Sequence, residues 1–223
     1  MSFLLPPDTA DAPSLTLAEP LWLPAPDHPT LPVNHLHIWR IRMDGLNHAG
    51  HRAHPRWTSD DDCPVSRDRV EKIKTALFRQ DVLGRYSSGS EGLPGILTGP
   101  AAGLRVAVAG CDHLALIAVS RNVREVGLDL ERVRADIPFE EMAGGFLDAG
   151  SQWDIRITWS LREKAWKFFQ FWTSNEACAQ AHISPRSTHA CRVQGFSPEA
   201  DFVAALAIEG GPDIELHYWD WQC

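Results

Sequence analysis

The chain has 223 residues, 44% of them hydrophobic, 22% charged and 9% aromatic. That balance excludes disordered and collagen-like chains and leaves room for one large domain or two small ones. Its 21 basic and 29 acidic residues give a formal charge of −8, which argues against nucleic-acid or membrane-surface partners, because both need a field of the opposite sign. No run approaches the roughly 18–20 apolar residues of a membrane-spanning helix, and MSFLLPPDTADAPS at the N-terminus lacks the layout of a secretory signal. A cytoplasmic protein with no membrane contact is expected. Cys63, Cys111, Cys178, Cys191 and Cys223 stand at irregular spacings that fit neither a disulfide scaffold nor a zinc knuckle, and reduced thiols are expected.

Residues 1–33 carry eight prolines and no strand or helix period, so they predict an extended arm laid over the body, one whose removal matters little. His35-Leu36-His37-Ile38-Trp39-Arg40-Ile41 then alternates with the period of a half-buried strand. Over 67–85, Val70, Ile73, Ala76, Leu77 and Leu83 recur at helical spacing between Asp68 and Gly84, which predicts an amphipathic helix. Three short apolar runs, 104–108, 114–119 and 126–130, read as strands of one sheet. A short helix is expected over 139–146 and a long aromatic-rich one over 161–181. Residues 202–208 and 214–221, with Gly210-Gly211 between them, suggest a closing hairpin. Interspersed strands and helices make the fold class α+β.

Chemistry is concentrated in Val126-Gly127-Leu128-Asp129-Leu130-Glu131. Carboxylates at i and i+2 of a strand share a face. They repel each other unless a cation sits between them, and a hard ion such as Mg²⁺ suits them. A solvated strand end is the other reading. Further on, Phe168-Phe169-Gln170-Phe171-Trp172-Thr173-Ser174-Asn175-Glu176-Ala177 offers Glu176 as a third acid, while its aromatic stripe reads as core packing.

Together these segments resemble the Sfp-type 4′-phosphopantetheinyl transferases, whose landmarks are a strand G-[VIL]-D-[VIL]-E and a helix W-[ST]-x-K-E-A-x-x-K. Residues 35–41 look like the family's opening strand. His51-Arg52-Ala53-His54-Pro55-Arg56-Trp57 resembles its RA-x-RF segment, residues 68–79 the helix that follows, and 114–120 and 202–208 its later core strands. The likeness covers about residues 34–221. A second register, Trp159-Ser160-Leu161-Arg162-Glu163-Lys164-Ala165-Trp166-Lys167, also fits the helix motif. Its spacing from Phe146-Leu147 falls short, which favours Glu176 over Glu163 as the helix acid.

The resemblance implies a pseudo-dimer of two similar α/β halves, 34–120 and 121–223, meeting near residues 119–126 behind the arm of 1–33. It implies Mg²⁺ held by Asp129, Glu131 and Glu176, with Glu176 and Asp129 as catalytic residues and Glu176 as the base. Coenzyme A is then the substrate, an acyl or peptidyl carrier protein the partner, and a monomer the expected state. Departures fall on the ligand side. The helix lysines are replaced by Asn175 and Gln180, the N-x-S-H-S turn by Ala107-Val108-Ala109-Gly110-Cys111, and the segment after the helix by Ile183-Ser184-Pro185. Substitute cations for the coenzyme A phosphates come from Arg52, Arg56 and Lys167, with Arg69, Lys72, Arg162 and Lys164 as further candidates, and His113 stands in for the missing histidine. His48, His51 and His54 drift round a helix, and Asp60-Asp61-Asp62 reads as a solvated loop. Two alternatives stay open. One is a repurposed scaffold catalysing a cyclisation or dehydration on a carrier-bound or small-molecule intermediate; the other is a catalytically silent carrier-protein binder.

Overall fold

A computed structural model describes residues 17–27, 29–42, 104–121, 123–183, 191–209 and 213–221. The helix expected over 67–85, Arg52, Arg56, Arg69, Lys72, the histidine trio and the aspartate run lie outside the described residues. In chain order the elements are β1 (Leu23–Pro24), β2 (His35–Arg42), β3 (Arg105–Cys111), β4 (Leu114–Ser120), β5 (Glu125–Arg132), α1 (Phe139–Phe146), α2 (Ala149–Ile157), α3 (Leu161–Gln180), β6 (Cys191–Phe196), β7 (Phe202–Glu209) and β8 (Glu215–Trp221). This is the α+β class, and no described helix is long and apolar enough to cross a membrane.

The strands form two sheets, one ordered β1-β8-β2-β4-β3 and the other β5-β7-β6. Two expectations are corrected here. The runs at 104–108 and 114–119 pair with each other, but β5 belongs to the second sheet, where it lies antiparallel to β7. Strands β7 and β8 form no hairpin, because β7 uses both edges on β5 and β6 while β8 inserts between β1 and β2 with parallel pairing. The reason is legible in side-chain pattern. Residues 202–208 are buried on both faces, as a central strand requires, whereas β8, in register with β2, sends Leu216 and Tyr218 to the shared core and Trp219 and Trp221 to the opposite face.

The two sheets enclose one core. Leu36, Ile38, Leu114, Leu116 and Ala118 from the first sheet meet Val126, Leu128, Leu130, Phe196, Leu206 and Ile208 from the second. The opposite face of the second sheet is covered by helices. Phe139, Ala143, Leu147, Ile155, Ala165, Phe168 and Phe169 gather over Val203, and Trp172 meets Phe146 edge-on at 5.2 Å. The aromatic stripe of α3 is therefore core packing, as its composition suggested.

Part of the Pro-rich segment is stitched into the body. Ala18 bridges β6 through Ala18 N–H to Gly195 O at 3.2 Å and Ser197 N–H to Ala18 O at 3.2 Å. Ala25 N–H donates to Asp220 O at 3.0 Å. Trp22 packs on Tyr218 at 5.3 Å, and the Arg40 guanidinium lies 4.4 Å over its ring while donating to Asp220 Oδ1 at 2.8 Å. Arg40 is almost fully buried, and a guanidinium there needs both the carboxylate and the aromatic face.

Candidate functional site

Strand β5 sorts its side chains by parity. Val126, Leu128 and Leu130 enter the core between the sheets, so Gly127, Asp129 and Glu131 face the other way, towards the helices. The register opposes them to small or short residues of β7: Gly127 to Ala207, Asp129 to Ala205 and Glu131 to Val203. With little side-chain bulk in the way, α3 settles closely on the strand through Ala177 and Ala181, both fully buried. At Gly127 a Cβ would stand 1.9 Å from the Ala177 carbonyl oxygen and 2.7 Å from the Ala181 nitrogen. Only glycine permits that approach.

The approach brings Glu176, one residue before Ala177, into the field of the strand acids. Asp129 is pushed up to about 7, by burial first, then by Glu131, with a bond from the Leu130 N–H opposing and Glu176 adding to the rise. Glu131 is also raised, by burial first; Arg134 opposes, and Asp112 and Glu176 reinforce it. Asp129 Oδ2 is buried with no hydrogen-bond partner among the described residues, an expensive condition for a carboxylate. A cation beside Asp129 would supply the missing partner and relieve the repulsion, but among the described residues the group of three possible ligands whose atoms already lie within 4.8 Å of one another is His35, Glu215 and His217, not the three acids.

The competing helix register has a structural explanation. Ser160 is the N-cap of α3 and its hydroxyl oxygen accepts from Glu163 N–H, so Ser160-Leu161-Arg162-Glu163 has the S-x-x-E sequence of a capping box. Trp159 is 99% exposed. Position 163 lies about 20 Å along the axis from position 176, and it is Glu176 that acts on Asp129 and Glu131.

The proposed phosphate-binding groups are distributed differently from the acids. Gln180 has become a tie between strands. Its Oε1 accepts from Leu128 N–H at 2.7 Å and its Nε2 donates to Val108 O at 3.2 Å. The edges of β3 and β5 run side by side along this seam, with Cys111 Sγ 4.0 Å from Glu131 Oε2 and Arg132 reaching Asp112 at 3.3 Å. The segment 107–111 is regular strand paired with β4 rather than a turn. His113, in the β3–β4 turn, lies against the Phe202 ring at 5.2 Å with Nε2 3.7 Å from Glu199. Lys167 lies about 14 Å along α3 from Glu176 and half a turn round it, so the helix does not bring it to the acids. Lys164 pairs with Glu140 at 2.6 Å and Arg162 with Asp201 at 3.4 Å. Asp112 and Arg134, which act directly on Glu131, escape sequence reading. Arg134 sits just beyond the acidic strand motif, the one signal that points to it.

No family model matches the chain. A comparison with known proteins finds similarity to a protein named 4′-phosphopantetheinyl transferase HetI from Nostoc sp., at 26% identity, over 85% of this chain and 94% of that relative.

Proposed function

We propose that the chain is a divergent phosphopantetheinyl transferase that moves 4′-phosphopantetheine from coenzyme A to a serine of an acyl or peptidyl carrier protein, with Mg²⁺ at Asp129, Glu131 and Glu176. The observation that supports this reading is the electrostatic influence of Glu176 on both strand acids, beside the close packing of α3 on Gly127. The low-identity relative supports it along nearly the whole chain.

In this reading Asp129, Glu131 and Glu176 would hold the cation, which would supply charge neutralisation for the diphosphate of coenzyme A and polarisation of its phosphorus. Asp129, the most buried of the three acids, anchors the site. Glu176, exposed on α3, takes the proton from the incoming serine hydroxyl. A serine O–P bond forms at the β-phosphorus, the P–O bond to the departing 3′,5′-ADP breaks, and no covalent enzyme intermediate is needed. Phosphate neutralisation falls to cations away from α3, with Arg134, which acts on Glu131, one candidate and Arg52 and Arg56 further ones. The same reading has two similar halves meeting near residues 119–126, in a cytoplasmic monomer.

Gln180 favours a second reading. A lysine at that position would face a phosphate, whereas here the side chain is committed to the seam between β3 and β5. A scaffold that keeps its acids and its carrier-protein surface but processes a carrier-bound intermediate matches that commitment. Intact-protein mass spectrometry of apo carrier proteins with coenzyme A and Mg²⁺ decides between them. The first reading requires a phosphopantetheine mass gain that disappears in Asp129→Ala and Glu176→Gln; no gain across a broad panel favours the second.

A further inference from the structure

On the face of the five-stranded sheet turned away from the three-stranded one, β2 and β8 run parallel in a register that opposes His35 to Glu215 and His37 to His217. The His35 and His217 rings stack at 4.7 Å and 7°, and both present Nε2 to the Glu215 carboxylate. One carboxylate oxygen lies 3.7 Å from His35 Nε2 and the other 3.3 Å from His217 Nε2. The first separation is beyond hydrogen-bond length, and His217 Nε2 is buried with no hydrogen-bond partner among the described residues. One ligand atom from each of the three residues falls within 4.8 Å of the others.

We propose that His35, Glu215 and His217 bind a divalent transition-metal ion of the Zn²⁺ type. An ion with bonds of 2.0–2.1 Å in tetrahedral geometry holds its ligand atoms about 3.3–3.4 Å apart; the Glu215–His217 separation of 3.3 Å matches, the Glu215–His35 separation of 3.7 Å lies just beyond it, and because an imidazole binds a metal in its ring plane, the two stacked rings turn out of parallel to share the ion. Two imidazoles and one carboxylate select Zn²⁺ and its transition-series neighbours over Mg²⁺, which prefers an all-oxygen shell. The site therefore differs in chemistry as well as in place from the acids of β5 and α3, and does not depend on the transferase reading. The floor is aromatic: Trp219 lies nearly parallel to His217 at 6.1 Å, and buried His37 meets both rings edge-on at 5.3 and 5.6 Å. Glu215 is 66% exposed, which leaves the remaining coordination position on the solvent side. Because one ligand comes from β2 and two from β8, the ion would clamp a sheet whose two strands come from opposite ends of the chain.

Metal-free full-length protein is titrated with Zn²⁺ by calorimetry, and with Co²⁺ while its visible absorption is followed, using wild type, Glu215→Gln, His217→Ala and Asp129→Asn. We expect a Zn²⁺ site in the micromolar range or tighter whose Co²⁺ form gives an intense tetrahedral spectrum, told apart by that spectrum from any ion at the all-oxygen acids of β5 and α3. Affinity falls at least tenfold in Glu215→Gln and further in His217→Ala, and is unchanged in Asp129→Asn. Glu215 projects from the surface, so its substitution leaves the fold intact, checked by circular dichroism. No binding by wild type, or wild-type affinity in a folded Glu215→Gln protein, overturns the proposal.

Discussion

Replacing Gly127 by alanine tests how the acidic site is built. The added methyl would begin 1.9 Å from the Ala177 carbonyl oxygen and 2.7 Å from the Ala181 nitrogen. An ordinary contact is roughly 3.5 Å, so α3 must retreat by about 1.5 Å. Both obstacles are backbone atoms in a hydrogen-bonded helical turn, where Ala181 N–H donates to Ala177 O at 3.0 Å, and neither swings aside as a side chain does. Overpacking of ordinary cores costs about 1–3 kcal/mol. Obstruction by main chain, with lost burial of Ala177 and Ala181, puts this variant at the upper end, about 3 kcal/mol or more. Urea denaturation monitored by circular dichroism measures it from the shift in midpoint. Retreat of α3 also draws Glu176 away from Asp129, so divalent-cation affinity falls along with stability. A Gly127→Ala protein within about 0.5 kcal/mol of wild type, the usual spread for an innocuous surface change, and with wild-type Mg²⁺ affinity, refutes the close-approach reasoning.

Asp129 titrates near 7 in the folded chain against an ordinary value of 3.8. As pH rises from about 4 to 7 the unfolded state releases a proton that the folded state retains, and metal-free stability falls, by at most about 4 kcal/mol at 1.36 kcal/mol per pH unit. In chelator, Asp129→Asn is therefore more stable than wild type at pH 8 and equal to it near pH 4 by thermal melts; equal melting at both pH values contradicts this. Gln180→Ala strips Leu128 N–H of its acceptor and loosens the β3–β5 seam, costing about 1–2 kcal/mol in urea, while Gln180→Glu, which keeps an acceptor oxygen, recovers part of the loss. Asp148 caps α2 by accepting from Gly150 N–H and Ser151 N–H at 2.9 and 3.1 Å, so Asp148→Ala lowers stability by about 1 kcal/mol, read as a drop in melting temperature.

Local pattern was enough to locate much of the fold. Period-two alternation marks β2, and the apolar frame around Asp129 and Glu131 marks β5 together with its outward-facing acids. The aromatic-rich run over 161–181 marks α3. Strand β6 was missed because Arg192, Gln194 and Gly195 blur its alternation, and α2 because Gly150 and Ser151 weaken a helix that the Asp148 cap rescues. Sheet membership was misjudged where it depends on partners far along the chain: β8 follows β7 in sequence yet pairs with β2. Long-range placement also governs the sites. The G-L-D-L-E run announces two acids, and spacing from Phe146-Leu147 favours Glu176 over Glu163, but the influence of Glu176 on those acids depends on the close Gly127–Ala177 contact. Gln180 reads as a lost lysine until Leu128 and Val108 are seen on either side of it, and nothing local links His35 to Glu215 and His217.

Asp129, Glu131 and Glu176 are proposed to form one cation site. Calorimetric titration of Mg²⁺, with Mn²⁺ as a paramagnetic reporter, into wild type, Glu176→Gln and Glu163→Gln tests it most directly. Mg²⁺ is expected to bind at a site whose affinity drops at least tenfold in Glu176→Gln and is untouched in Glu163→Gln. Equal affinity in wild type and Glu176→Gln, or loss confined to Glu163→Gln, would contradict it.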